Sequence, residues 1–99
     1  MIKITQIGDN IVFQGHTLPD ICAATSSIMY TTVNAMKKYE DMRNRGDMFS
    51  YKDNLDADYV EIKIIEHDVF IDLLIENMFD MLNDLKDDNN EDKLDIVRK

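Results

Sequence analysis

The sequence predicts an α+β protein, an antiparallel sheet with two helices packed on it in the order β-β-α-β-β-α. Three observations lead there. Residues 2–14 alternate apolar and polar on either side of Gly8-Asp9-Asn10, whose residue types favour a tight turn, so they read as a β-hairpin. Residues 21–43 and 67–86 carry apolar residues at helical spacing. Tyr59–Ile65 places Val60, Ile62 and Ile64 on one face and Glu61 and Lys63 on the other, the mark of a half-buried strand. With 99 residues there is room for one domain and one modest core. That domain is expected over residues 1–86, followed by a charged, flexible tail over 87–99.

Ile2-Lys3-Ile4-Thr5-Gln6-Ile7 is the first strand and Ile11-Val12-Phe13 resumes as the second, ended by Gly15. Pro19-Asp20 opens the first helix, with Asp20 placed to cap free backbone N–H groups. Its core stripe is Ile28, Met29, Val33, Met36 and Tyr39. Its first turns are small (Ala23, Ala24, Thr25, Ser26, Ser27) and let another group approach the helix closely. Asn44-Arg45-Gly46-Asp47 stops the helix. A short third strand is expected over Met48–Lys52, then a polar turn over Asp53–Asp58. In the second helix, Phe70, Leu74, Met78, Met81, Leu82 and Leu85 form the expected core stripe, opposite Asp72, Glu76, Asp80, Asn83 and Asp87. His67 flanks its start. Val69, Leu73 and Phe79 fall on the polar side, which points to a partner surface, and a homodimer is the economical expectation.

Acids outnumber bases by 20 to 11, for a net charge of −9. Such a chain is repelled by phosphate backbones and anionic membranes, so neither nucleic acid nor membrane is an expected partner, whereas a basic peptide or protein is. No apolar run approaches the ~20 residues of a membrane span, and no secretory signal pattern is present. The single cysteine cannot form an internal disulfide and fits a reducing compartment, so a cytoplasmic location is expected. Asp88-Asn89-Asn90-Glu91-Asp92 starts like a calcium loop, but Lys93 and Lys99 stand where that loop needs glycine and glutamate. His16, Asp20 and Cys22 lack zinc-ligand spacing. No metal or other cofactor is expected.

The chemistry concentrates in Gly15-His16-Thr17-Leu18-Pro19-Asp20-Ile21-Cys22. The thiol sits in the first turn of a predicted helix, where unpaired N–H groups and the helix dipole favour a negative charge. His16 is six residues upstream, on a connector that spans at most ~20 Å extended and can fold back on the thiol. Ser26 lies one helical turn past Cys22, on the same face. These residues alone leave two readings open: a nucleophilic Cys–His dyad, or a packing cysteine beside a turn histidine.

Gly-His-Thr at 15–17, followed by Asp-Ile-Cys-Ala-Ala-Thr-Ser at 20–26, resembles the two linked motifs of the Prp family of ribosomal-processing cysteine proteases. Those motifs are a Gly-His-Ala after the second strand and an Asp-Ile-Val-Cys-Ala with a serine four residues past the cysteine. The resemblance implies a hairpin, a long helix, further strands and a closing helix. It also implies an endopeptidase that removes the N-terminal extension of a large-subunit ribosomal protein, or processes a phage capsid or scaffold protein. His16 would be the general base and Cys22 the nucleophile, with Asp20, Ser26 and Gly15 in support, in a homodimer. The sequence departs from the family in its five-residue connector, about half the usual length, in Thr17 for alanine, and in one residue fewer between Asp20 and Cys22. A short connector containing Pro19 leaves the dyad either preassembled before substrate arrives or locked apart, and preassembly is the expectation. The competing reading is an inactive module of the same fold that binds a basic peptide.

Overall fold

Residues Ile2–Ile7 (β1) and Asn10–Gly15 (β2) form the hairpin, antiparallel, with Ile4 opposite Phe13. Gly8 turns the chain at φ 58°, a left-handed value that glycine adopts without strain. The computed structural model describes residues 1–54 and 57–99. After the hairpin come the helix Pro19–Met42 (α1), the strands Phe49–Asn54 (β3) and Tyr59–Ile64 (β4), the helix Val69–Asp87 (α2) and the strand Leu94–Arg98 (β5). The sheet order is β3-β4-β2-β1-β5. β2 pairs antiparallel with β4, and β4 with β3, whereas β5 lies parallel to β1.

One core joins the layers. Ile2, Ile4, Ile11, Phe13, Val60, Ile62 and Ile64 on the sheet meet Met29, Val33 and Met36 of α1 and Ile71, Ile75, Met78 and Leu82 of α2. The alternate sheet residues Lys3, Gln14 and Lys63 are exposed, so both helices cover the same face of the sheet.

The α+β class holds, but the expected element order stops one strand short. Asp87–Lys99 does not fray: Leu94–Arg98 adds a parallel strand to β1, with Ile2 opposite Leu94 and Ile4 opposite Ile96. The free edge of β1 needs hydrogen-bond partners, and this segment supplies them. Ile2 N–H donates to Lys93 O at 2.9 Å and Lys99 N–H to Gln6 O at 2.8 Å. The reversal from α2 is built on Asn90, buried, whose side-chain amide donates to Leu85 O and Asp88 O. Charge hid the strand from the sequence, yet Arg98 is neutralised by Glu76 (2.9 and 2.5 Å) and lies 4.1 Å over the Phe79 ring.

The expected α2 stripe holds at Met78 and Leu82, which are buried, and at Leu74 and Leu85, which pack against the core, but not at its two phenylalanines. Phe79, expected on a partner surface, is 1% exposed, and Phe70, expected in the core, is 44% exposed. The buried set is Ile71, Ile75, Met78, Phe79 and Leu82, a stripe at i, i+4, i+7, i+8 and i+11 turned toward β5. Val69 and Leu73 do face solvent. His67 flanks the start of α2 as expected, and Asp68 is the N-cap, accepting from Phe70 N–H and Ile71 N–H. The third strand starts one residue later than expected and runs on to Asn54. Of the polar turn expected over 53–58, residues 55 and 56 lie outside the described residues. No helix among the described residues is long and apolar enough to cross a membrane.

Candidate active site

Gly15 closes β2 at φ 95°, and a Cβ there would lie 2.5 Å from the carbonyl oxygen of Met1. Only glycine fits. Its N–H donates to Asp58 O at 3.0 Å, which ties the end of β2 to the residue before β4. Asp58 itself adopts φ 48°, a left-handed conformation that aspartate tolerates better than most residues. Its carboxylate oxygen Oδ2 stands 3.3 Å from His16 Nδ1. The imidazole is 78% exposed and the Asp58 side chain 55%, so this is a solvated pair that orients a ring rather than one that adds much stability.

The chain then folds back, and Leu18 enters α1 as an N-cap without any side-chain cap bond. Pro19 takes the first helical position, where its missing N–H costs nothing. Asp20 does not reach the site. Its Oδ1 accepts from the adjacent Ile21 N–H at 3.0 Å, and it is not among the walls of the cavity beside Cys22. With one residue fewer before the cysteine than in the resembled motif, Asp20 sits about 100° further round the helix from that position.

Cys22 is half-buried, and its sulfur is held by the connector. Thr17 N–H donates to Sγ at 3.2 Å, and Sγ lies 3.5 Å from Thr17 O. One backbone residue thus offers a donor to a thiolate and an acceptor to a thiol. Cys22's own N–H is engaged within the helix by Leu18 O at 2.9 Å. No hydrogen bond joins His16 to Cys22 among the described residues. The preassembled dyad expected from the short connector is not formed: both side chains border one cavity, and each is held by a different third group.

That cavity, of about 140 Å³, lies between the first turns of α1 and the β2–β4 end of the sheet. Ile2, Phe13, Met29 and Val60 give it an apolar floor, with Gly15, His16, Cys22, Ser26 and Asp58 also on its walls. Thr25 lines it too. Thr25 is 4% exposed and its hydroxyl has no hydrogen-bond partner, whereas Thr32 in the same helix donates to Ile28 O at 3.0 Å. Tyr30 of α1 and Asp53 of β3 also line the cavity. Tyr30 and Tyr51 hydroxyls both donate to Asp53 Oδ2, at 2.5 and 2.7 Å. Hydrogen bonding to that carboxylate raises the pKa of Tyr30, and burial first, then the same cluster, raises that of Tyr51. Both phenols remain protonated donors.

Asp58, Thr17 and Thr25 went unread as site residues in the sequence. Asp58 belongs to a polar turn 42 residues beyond His16, and only the β2–β4 pairing brings the two together. Thr17 acts through its backbone, which no side-chain pattern reveals. The one available signal for Thr25 was its i+3 spacing from Cys22.

The fold and cavity define a class: a mixed five-stranded sheet under two helices, with a cysteine at the start of the long helix and a histidine leaving the hairpin. Among solved structures the chain is similar to the essential ribosomal processing protease Prp from Staphylococcus aureus. Its structure with a covalently linked product peptide aligns at TM-score 0.78 and 14% identity, over 99% of this chain and 97% of that one. Its structure with a substrate peptide aligns at TM-score 0.77 and 15% identity, over the same shares. A protein from Streptococcus mutans aligns at TM-score 0.70 and 19% identity, over 99% and 93%. No family model matches the chain, and no curated protein does. At these identities the likeness is one of fold, and the chain has the Prp fold.

Proposed function

We propose that this protein is a cysteine endopeptidase of the Prp kind, with Cys22 as nucleophile, His16 as general base and Asp58 as the group that orients His16. The observation that carries this reading is the shared cavity. A thiol from α1, an imidazole from the end of the hairpin and a carboxylate from the turn before β4 border one cavity. His16 takes the thiol proton of Cys22, Sγ attacks the peptide carbonyl carbon, and the carbonyl π-electrons move onto oxygen. As the tetrahedral intermediate collapses, the C–N bond breaks and the protonated His16 gives its proton to the departing amine. Water, deprotonated by His16, then attacks the thioester and returns the thiol. Thr17 N–H stabilises the sulfur anion at the start and end of the cycle. With Nδ1 on Asp58, the His16 ring is free to use Nε2 toward the sulfur.

The substrate proposed is a protein segment, either the N-terminal extension of a ribosomal protein or a phage capsid or scaffold protein, acted on in the cytoplasm. The chain is also proposed to work as a homodimer. The test is cleavage of such an extended precursor by the wild-type protein and by Cys22→Ala. Cleavage should vanish in the variant while its fold is retained. Undiminished proteolysis by Cys22→Ala would sink the enzyme reading. Slow alkylation of wild-type Cys22 by iodoacetamide near pH 6, with no cleavage of either precursor, would favour the inactive peptide-binding module.

A further inference from the structure

We infer that the end of the cavity away from Cys22 is a subsite for a basic side chain of the bound segment, with Asp53 as the residue that selects lysine or arginine. This rests on the reading that the cavity receives a peptide. The cavity follows one stripe of α1, since Cys22, Ser26 and Tyr30 all line it and residues four apart in a helix share a face. From Cys22 to Tyr30 the helix rises about 12 Å. An extended peptide, at about 3.3 Å per residue, covers that length in three to four residues. A long side chain roughly two to four positions from the scissile bond therefore reaches the Tyr30 end.

The two ends differ in how their carboxylates are held. At the Cys22 end, Asp58 stands 3.3 Å from the His16 ring. At the far end, Asp53 receives two neutral donors, the hydroxyls of Tyr30 at 2.5 Å and Tyr51 at 2.7 Å, both on Oδ2. Those bonds fix the carboxylate and leave its charge in place. Among the described residues Oδ1 takes no hydrogen bond and Asp53 forms no ion pair. The neighbouring cation, Lys37, stands over the Tyr51 ring instead, 5.3 Å from its centroid. A carboxylate held in place with one oxygen open suits a charged donor from the ligand. The approach to it suits the rest of such a side chain. Met29 and Val60 line the cavity, and the methylene stem of a lysine or arginine packs on apolar surface of that kind while its charged head stays in water. Asp53 is exposed, so the selection is of the size of a solvated ion pair.

The probes are acetylated, amidated pentapeptides with two alanines on either side of a lysine, a norleucine or a glutamate. Norleucine keeps the lysine stem and lacks the ammonium group. Each is titrated into the Cys22→Ala protein and followed by NMR shifts of the cavity residues, a readout that needs no cleavage. The lysine peptide should bind about threefold to fivefold more tightly than the norleucine peptide, with the glutamate peptide weakest. The preference should shrink in about 0.5 M salt, where exposed charges are screened. Asp53→Asn should remove it while the norleucine peptide binds as before. Asp84→Asn, which removes an equal charge from an exposed position of α2, should leave it intact. Equal binding of the lysine and norleucine peptides, a preference that survives Asp53→Asn, or an equal fall in Asp84→Asn would overturn the inference. If Asp53→Asn does not fold, the salt series decides, and a preference unchanged by salt overturns it. Cleavage of a precursor by the wild type without any lysine preference overturns this inference alone. No shift of the cavity residues with any peptide overturns both it and the peptide reading.

Discussion

At the scale of single residues the site depends on positions that are exposed, strained or unpaired. Asp58 combines a left-handed backbone with a carboxylate 3.3 Å from His16, and such outliers are held where surrounding structure over-determines them. Asp58→Asn keeps the shape and removes the carboxylate that orients the imidazole. It should lower kcat by roughly tenfold or more, whereas Asp20→Asn, which touches only the neighbouring Ile21 N–H, should stay within about threefold, the size of one weak hydrogen bond. Steady-state rates on one peptide decide between the two carboxylates, and the reverse ranking would restore Asp20 to the site. His16→Ala should cost several orders of magnitude, and a loss below tenfold would remove it from the mechanism. Gly15→Ala is expected to destabilise by about 1–3 kcal/mol from the backbone alone. The contact with Met1 O adds to that, and urea denaturation measures the sum.

At the scale of elements, the connections between helix and sheet are polar and specific. Glu40 is 7% exposed and its carboxylate accepts from Met48 N–H at 2.9 Å, fixing the end of α1 to the start of β3. Glu40→Ala leaves that buried N–H unpaired and should cost about 1–3 kcal/mol. His67 joins the β1–β2 turn to α2, with Nε2 2.6 Å from Asp9 and Nδ1 3.1 Å from Asp72. The hydrogen bond to Asp9, then that to Asp72, raises its pKa above the usual 6.5. The folded state therefore holds this proton more tightly than the unfolded chain does. The stabilisation is complete below pH 6.5 and declines as pH rises through the higher folded-state value. His67→Gln should flatten that decline, which thermal melts of both proteins over a pH series would show. β5 is held at its end by Arg98 through Glu76 and the Phe79 ring. The pair is half-exposed, so Arg98→Ala should cost only about 1–2 kcal/mol, mostly from the lost cation–π contact.

At the scale of the whole molecule, the open question is the second copy. Val69 and Leu73 are 87% and 60% exposed, and Phe70 and Met42 add apolar surface at 44% and 82%. A homodimer that covers them should give sedimentation at twice 11.6 kDa, and Leu73→Lys should shift it toward monomer. A monomer for the wild type across micromolar concentrations would refute the dimer.

The sequence by itself determined what depends on local pattern. The hairpin is set by alternation around Gly8, both helices by their apolar period, and β4 by Val60, Ile62 and Ile64. The short segment from Gly15 to Ser26 was legible as chemistry because helix start, thiol and imidazole lie within twelve residues. What needed the tertiary structure were the pairings across long separations. A strand as charged as Leu94–Arg98 becomes stable only when β1 offers it an edge and Glu76 neutralises Arg98. Phe79 changes from surface to core because that strand covers it. Asp58 rather than Asp20 meets His16 because β2 pairs with β4, and Thr25 counts as part of a cavity only once the sheet has closed over α1. Periodicity fixes which way a residue faces along its own element, but what it faces is decided by partners that the rest of the chain supplies.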